Sequence, residues 1–307
     1  MNSPLTNVAA SVRTRLLQLR AVTGEDYNQL LVRYCIERLL YRLSVSEHRE
    51  RFIRKGAMLF VLWKGSPHRQ TRDVDFLGYG SAEPSVVAET FRTLCRQPVV
   101  DDGVIFEPES VAAEEIRAGQ EYEGVRVTLR AFIGVARIVL QVDVGFGDAV
   151  TPAPETLLYP GLLDLPRAEL RCYPKETAIA EKVEAILNLD LRNTRYKDYY
   201  DIAFLAEHFD FDGETLRGAI EATVERRGSR GLLSETPPGL SPQFSTDPEH
   251  LKRWDSFCRK SGFTPPMSLQ EVVAKVAALV APPLNAICSK QGFAQTWRAS
   301  LGQYESR

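Results

Sequence analysis

Residues 123 to 146 restrict the fold more than any other part of the chain. Two runs, GVRVTLRAFI and ARIVLQVDVGF, place apolar side chains at every second position, and a short Gly134-Val-Ala link joins them. Alternation of this period is the mark of strands with one face in a core, and so short a link predicts a β-hairpin. On the second run Val139, Gln141 and Asp143 share one face, opposite Leu140, Val142 and Val144. Asp143 therefore interrupts an otherwise apolar strand, just before the Gly145-Phe-Gly147 break. Two readings stand side by side: a carboxylate facing a site, or one that caps the turn.

Around the hairpin the pattern is mixed. Residues 5–20 and 26–43 read as helices; in the second, Tyr27, Leu30, Leu31, Tyr34 and Cys35 recur at helical spacing, with Arg33, Glu37 and Arg42 off that stripe. A polar stretch, Ser44 to Glu50, precedes an apolar approach to Lys55-Gly56-Ala57. Thr71 to Leu77 reads as a short strand and 86–97 as a helix. Prolines then cluster (Thr151-Pro-Ala-Pro, Tyr159-Pro-Gly, Leu165-Pro, Tyr173-Pro174), and beyond them 175–189, 195–208, 213–227 and 268–280 carry helical stripes. Gly228 to Asp247 reads as an extended loop. The expected organisation is an α+β core with N-terminal helices over 1–150, a Pro-rich connector over 151–174, and a mostly helical C-terminal domain over 175–307.

The strand at 71–77 carries the chemistry. Asp73-Val-Asp75 sets two carboxylates on one face, roughly 6–7 Å apart along the strand, with Val74 and Phe76 on the other. Carboxylates that close repel unless a divalent cation offsets them. Mg²⁺, or Mn²⁺, takes oxygen ligands, commonly one or two carboxylates together with substrate phosphates, as phosphoryl and nucleotidyl transfer require. Asp143 is the candidate for a third ligand. The same letters also suit a charged strand edge facing solvent.

Two helical segments follow. In Glu176-Thr-Ala-Ile-Ala-Glu181-Lys182-Val-Glu-Ala, residues Ala178, Glu181, Lys182 and Ala185 share a face. Small alanines leave room beside Lys182, whose ammonium suits a triphosphate; a salt bridge of Glu181 or Glu184 with a neighbour is the structural alternative. In Asn193-Thr-Arg195-Tyr-Lys197-Asp198-Tyr-Tyr-Asp201, the two aspartates share a face with Arg195 one turn earlier. Acidic residues in a first turn are also favoured by the helix dipole alone.

Composition excludes several classes. A hydrophobic share of 44% and a charged share of 25% over 307 residues fit a globular protein with a real core. No run approaches 18 consecutive apolar residues, so no membrane partner is expected, and the N-terminus has no apolar segment of signal-peptide order. Five scattered cysteines, none at CxxC spacing, argue against disulfides and zinc and point to a reducing cytoplasm. The four histidines show no metal spacing, and P-loop, GxGxxG and GxSxG motifs are absent. Net charge is −2, yet Arg49, Arg51, Arg54, Lys55, Lys64, His68, Arg69 and Arg72 precede the acidic pair. They are either a solvated surface or a cationic approach for a polyanion beside the carboxylates.

The order KGA…RxTRDVDFLG, LQVDVGFGDAVTP, YPKETAIAEKVEAI and NTRYKDYYDIAFL resembles the AbiEii-type toxin nucleotidyltransferases, a group that includes the mycobacterial MenT toxins. The resemblance runs from about Leu30 to Leu205. It implies a DNA polymerase β-like nucleotidyltransferase core, a mixed sheet with flanking helices, plus a helical C-terminal domain. By motif position it implies Asp73 and Asp75 as metal ligands, Lys182 as the lysine that contacts the nucleotide, and Asp198 as a required acid with Asp201 behind it. Gly56 would sit in a tight turn where the family has Gly-Gly or Gly-Ser. Ala57 departs from that pattern, so Thr71 is the candidate for a nearby hydroxyl, with Arg72 and Arg195 as further nucleotide-binding candidates. The setting implied is a type IV toxin–antitoxin pair with a cognate antitoxin, some members adding nucleotides to the 3′ end of tRNA. The expected reaction is transfer of NMP from an NTP to an RNA 3′ hydroxyl. Transfer to a protein or small-molecule hydroxyl, or a non-catalytic nucleotide- or RNA-binding module, are the alternatives.

Overall fold

Alternation and capping signals translate directly into elements in the computed structural model, which describes residues 7–65, 73–116, 124–260 and 267–306. The chain divides into two compact units, Met1–Gly147 with Glu155–Cys172, and Asp148–Pro154 with Tyr173–Arg307.

The first unit opens with two helices. Asn7 caps α1 (Val8–Thr23) by accepting from the Ala10 amide, and left-handed Gly24 ends it. Asp26 likewise caps α2 (Tyr27–Ser44). Then come β1 (Phe52–Lys55), α3 (Leu59–Lys64), β2 (Asp73–Gly78), α4 (Pro84–Arg96), β3 (Ile105–Glu115), β4 (Gly124–Ile133), β5 (Ala136–Phe146), β6 (Glu155–Leu158) and β7 (Glu169–Cys172). All seven strands form one sheet in the order β3-β4-β5-β2-β1-β7-β6. The β2/β5 and β1/β7 pairs are parallel and the rest antiparallel, so the unit is mixed α+β.

The predicted hairpin is β4–β5, closed at Ile133↔Ala136 by Gly134-Val135 with Gly134 at φ +60°. A positive φ at the first turn position suits the twist of a two-residue hairpin. Val125, Val127, Leu129, Leu140, Val142 and Val144 are buried, together with Val74 and Phe76 of β2. Helices α1, α2 and α4 pack on the sheet, and the alternate residues, Asp73, Asp75, Gln141 and Asp143 among them, keep some exposure.

In the first unit three features depart from the sequence reading. Residues 105–115, which show no clean alternation, form β3. A register shift between Glu107 and Ala112 takes up Pro108, and the edge position tolerates a residue without an amide proton. Residues 155–172, expected as connector, form β6 and β7; the prolines flank these strands, and Leu170 and Cys172 are buried. Glu37 and Arg42, placed off the apolar stripe of α2, are buried as well. Arg42 donates to Asp102 at 2.7 Å, and both Glu37 carboxylate oxygens accept from the Leu162 amide at 3.0 Å.

Burial pushes the Glu37 carboxyl up to about 7, against the opposing pull of the Leu162 amide, Arg38 and Arg33. A raised folded-state value means that the folded chain binds the extra proton between the ordinary carboxyl value and about pH 7. Stability is therefore expected to fall by about 3 kcal/mol as pH rises through that window, from the energy equivalent of such a shift. Glu37→Gln keeps an acceptor for Leu162 and cannot ionise. Its unfolding midpoint in urea should lack this component of the decline between pH 5 and 8; equal pH slopes in both proteins would exclude it.

The second unit holds α5 (Lys175–Leu189), α6 (Tyr196–His208), β8 (Phe211–Asp212), α7 (Gly213–Arg226), α8 (Pro242–Ser245), α9 (Pro248–Lys260), α10 (Leu269–Cys288), β9 (Gln295–Arg298) and β10 (Gln303–Ser306). Asp212 caps α7 through the Thr215 amide, and a Ser268/Glu271 capping box opens α10. The stretch 228–247 is not a plain extended loop. It contains two 3₁₀ turns and α8, pinned where Tyr199 Oη donates to the Gly239 carbonyl at 2.9 Å and its ring stacks on Phe244. The chain end adds a three-stranded sheet, β10-β9-β8, fixed by buried Trp297, whose indole donates to the Ala206 carbonyl. Helix α10 runs eight residues past its expected end, through Pro282-Pro283 to Cys288. By length and composition it could cross a membrane, but its leucines and valines are buried against α6 and α7.

Candidate active site

In the first unit the sheet register assembles the acidic residues. Asp75 of β2 pairs with Lys55 of β1 on one side and with Asp143 of β5 on the other, and Asp143 pairs with Arg126 of β4. Paired positions share a face, so Lys55, Asp75, Asp143 and Arg126 form a row across four strands, with Glu114 of β3 opposite Arg126 at its end. Signs alternate along this row except at the centre, where two carboxylates stand side by side. Asp73 sits one pleat along, opposite Gln141.

Asp143 is held. Arg126 grips it in bidentate fashion, Nε to Oδ1 at 2.9 Å and Nη2 to Oδ2 at 2.8 Å. Gln141 lies between the rows: its amide nitrogen reaches Asp73 Oδ1 at 3.3 Å, and with the amide turned its oxygen accepts from Arg126 Nε at 3.2 Å. Both oxygens of Asp143 are thus engaged by a cation. Among the described residues no set of three His, Cys, Asp or Glu side chains is arranged to hold a metal ion. The arrangement fits a divalent cation held by Asp73 and Asp75 with substrate phosphates completing the shell; Asp143 joins only if Arg126 releases it.

Gly56 explains the turn before α3. Its φ is +78°, and a Cβ there would stand 2.7 Å from Cγ of Asp75, so the carboxylate lies directly over the glycine. From beneath, fully buried Arg54 donates through Nη1 to the carbonyls of Lys55, at 2.7 Å, and of Asp75, and its guanidinium lies 5.4 Å from the Phe76 ring. The backbone on both sides of the row is tied down by one side chain. Gly56→Ala is expected to cost about 1–3 kcal/mol from the left-handed backbone alone and to displace Asp75, so transfer should drop together with the thermal midpoint. Retention of both would mean that the carboxylate does not rest on the glycine.

In the second unit the AEK and KDYYD segments meet. Lys182 Nζ of α5 donates to Asp198 Oδ1 at 3.2 Å and to Asp201 Oδ2 at 2.9 Å, both on α6. The two aspartates are 0% exposed and Lys182 is 14% exposed. Arg195 Nε closes on the other oxygen of Asp198 at 2.6 Å while half of its side chain stays in solvent. Burial alone would raise the Asp198 carboxyl, but Lys182 and Arg195 hold it below the usual carboxylate range. Lys182 is therefore paired with the second motif, and the salt bridges of Glu181 and Glu184 with a neighbour are present as well. Those two glutamates belong to another cluster with Asp148 around Arg227, at 3.4 Å from Glu181 and 2.9 Å from Glu184 and Asp148.

The candidates Thr71 and Arg72, with His68 and Arg69 of the basic approach, lie outside the described residues. Sequence reading missed Arg126, Gln141 and Arg54 as partners of the acidic row, and Arg227 as the hub for Asp148. For Arg126 the signal was present: counting back across the hairpin turn sets it opposite Asp143.

The model of the family described as nucleotidyl transferase AbiEii toxin, type IV TA system, matches residues 38–277. The chain belongs to this family. It is thus a nucleotidyltransferase and a toxin of the AbiEii family of type IV toxin–antitoxin systems, which implies an NTP substrate and an antitoxin partner. No curated protein matches the chain significantly. Among solved structures, it is similar to a putative nucleotidyltransferase from Helicobacter pylori, at TM-score 0.50 and 14% identity over 88% of this chain and 100% of that one. That likeness is one of fold. Two further similar structures are JHP933 from H. pylori, at TM-score 0.49 and 14% identity over 85% and 94%, and the toxin MenT4 from Mycobacterium tuberculosis, at TM-score 0.49 and 20% identity over 91% and 99%.

Proposed function

We propose that this AbiEii-family nucleotidyltransferase transfers NMP from an NTP to the 3′ hydroxyl of an RNA, with tRNA as the acceptor, in the cytoplasm. The observation that supports this most is the charged row: Asp75 and Asp143 side by side, with Asp73 on the same open face. Adjacent like charges cost stability in a sheet unless function retains them. Nucleotidyltransferases in general need divalent metals, and Asp73 and Asp75 are the residues proposed to hold Mg²⁺ or Mn²⁺ here. Such an ion, when bound, neutralises triphosphate charge and lowers the barrier to attack at the α-phosphorus.

The chain's own groups do the rest. Gly56 leaves space for the Asp75 carboxylate, and Arg126 neutralises Asp143. Within the second unit, Lys182 and the half-exposed Arg195 are proposed as nucleotide-binding cations, with Asp198 and Asp201 fixing the ammonium. An ammonium clamped between two buried carboxylates loses little further freedom on binding phosphate, which favours recognition. The reaction leaves pyrophosphate and extends the acceptor by one nucleotide.

The test is incubation of the whole protein with Mg²⁺, each labelled NTP in turn and total tRNA. Label should enter RNA with at least one NTP and be abolished by chelation. Label in protein or in a small-molecule fraction instead would overturn the RNA acceptor, and incorporation unaffected by chelator would overturn the metal.

A further inference from the structure

Helix α9 carries two stripes. His250, Trp254 and Cys258 are buried in the second unit. Next to them Arg253, Ser256, Phe257 and Lys260 recur at i, i+3, i+4 and i+7, one continuous helix face. Together with Thr194 and Tyr196 these four line a cavity of about 310 Å³.

The cavity has a rigid aromatic wall. Phe257 is backed by Trp254, with centroids 5.6 Å apart, and by Tyr196 and Tyr200 at 6.5 and 6.3 Å. Tyr196 is fixed from behind. His250 Nε2 lies 2.8 Å from the Leu191 carbonyl, which can only accept, so Nε2 carries the proton and Nδ1 accepts from Tyr196 Oη at 2.7 Å. With its hydroxyl so engaged, Tyr196 offers the cavity ring carbon. Arg253 and Lys260 supply two exposed cations and Thr194 and Ser256 two hydroxyls. No carboxylate is among these described lining residues. Glu249 approaches Arg253 only to 4.0 Å from the preceding turn, and Asp255 projects off the stripe.

Aromatic surface with flanking cations and hydroxyls is the chemistry that recognises a nucleotide: a base against the ring, a phosphate on the cations. The volume is at the small end for ligand sites, room for one nucleotide. The positive surface also continues past the cavity on the same two segments, through exposed Arg192 and Lys197 and through Lys252 and Arg259. A strand's phosphate backbone needs such a track; a free nucleotide does not.

We propose that this cavity is a nucleotide subsite of the second unit, in which one base of a single-stranded RNA end stacks on Phe257 while Arg253 and Lys260 hold its phosphate. The assignment of the strand to the acceptor rests on the reaction proposed above; the nucleotide chemistry of the cavity does not. A free NTP is the other source of the same chemistry.

The experiment measures binding, without turnover. Anisotropy of a labelled short single-stranded RNA with a free 3′ hydroxyl is followed with the full chain, its Phe257→Leu variant and its Arg253→Gln/Lys260→Gln double variant. A second arm titrates a fluorescent NTP without RNA. Phe257→Leu keeps the contact with Trp254 but removes the stacking face, and should weaken RNA binding by roughly tenfold. The double variant alters only exposed side chains, and should weaken RNA binding at low salt and flatten the dependence of log K on log salt by about 1.4. NTP affinity should stay unchanged in both.

RNA affinity and salt slope equal to wild type in both variants overturn the proposal. Loss confined to the NTP arm overturns the strand and assigns the cavity to the free nucleotide. If RNA affinity falls as expected while no NMP transfer to RNA occurs, the subsite stands and the proposed reaction falls. If transfer to RNA proceeds and the variants bind as wild type, the reverse holds.

Discussion

Transfer of labelled NMP is expected to fall by roughly 10³-fold in Asp73→Asn, the scale of several kcal/mol of lost transition-state stabilisation when a metal-binding carboxylate is removed. The substitution keeps the shape of the side chain and deletes one charge. Asp73 is exposed, and an asparagine oxygen still accepts from Gln141, so the fold should not notice. The side chain is exposed and its shape is kept, so stability should stay within about 0.5 kcal/mol of wild type, the range typical of surface changes. Activity lost at unchanged stability separates a chemical role from a structural one. Turnover within about threefold of wild type would remove Asp73 from the proposed mechanism.

The second large effect concerns stability. Lys182→Met is expected to destabilise the second unit by about 3–5 kcal/mol, because it strips the shared cation from two fully buried carboxylates. Its pH signature is sharper than its size. In the wild type Asp198 titrates below the ordinary carboxylate value, held there by Lys182 and Arg195 against burial. That contribution is complete above the unfolded value and is lost as pH falls through the folded one. In the variant burial meets less opposition, so the carboxyls should shift upward and stability should fall as pH rises. Across urea midpoints measured between pH 4 and 8 this contribution should thus be flat in the wild type and should decline with rising pH in the variant. A parallel slope, or a loss below about 1 kcal/mol, would show that Lys182 does not anchor the pair.

Much of the site was legible in the chain because its strands and helices are locally written. Alternation in 124–146 is complete, so the hairpin and the face of Asp143 could be read directly. The same period in β2 set Asp73 and Asp75 together, and the stripes of α5 and α6 located Lys182 and Asp198. What escaped lies where local signals conflict. Strand β3 contains Pro108 and four glutamates, and its burial comes from neighbours β4 and α4 rather than from its own pattern. Strands β6 and β7 hide among prolines that read as linker. Glu37 and Arg42 look like surface residues until Leu162 and Asp102, far along the chain, arrive to satisfy them.

The two aspartates of β2 show the division most plainly. Sequence alone determined that they share a face, because side-chain direction in a strand depends only on neighbouring backbone. It also determined the family order of motifs, and with it the class of reaction. That Asp75 lies between Lys55 and Asp143, that Asp143 is gripped by Arg126, and that Lys182 closes on Asp198 and Asp201 are decisions of the tertiary structure. Register between strands distant in the chain, and the approach of one helix to another, are settled by packing of the buried faces. The charged residues on the opposite faces are carried into place by that packing, and no local pattern records where they arrive.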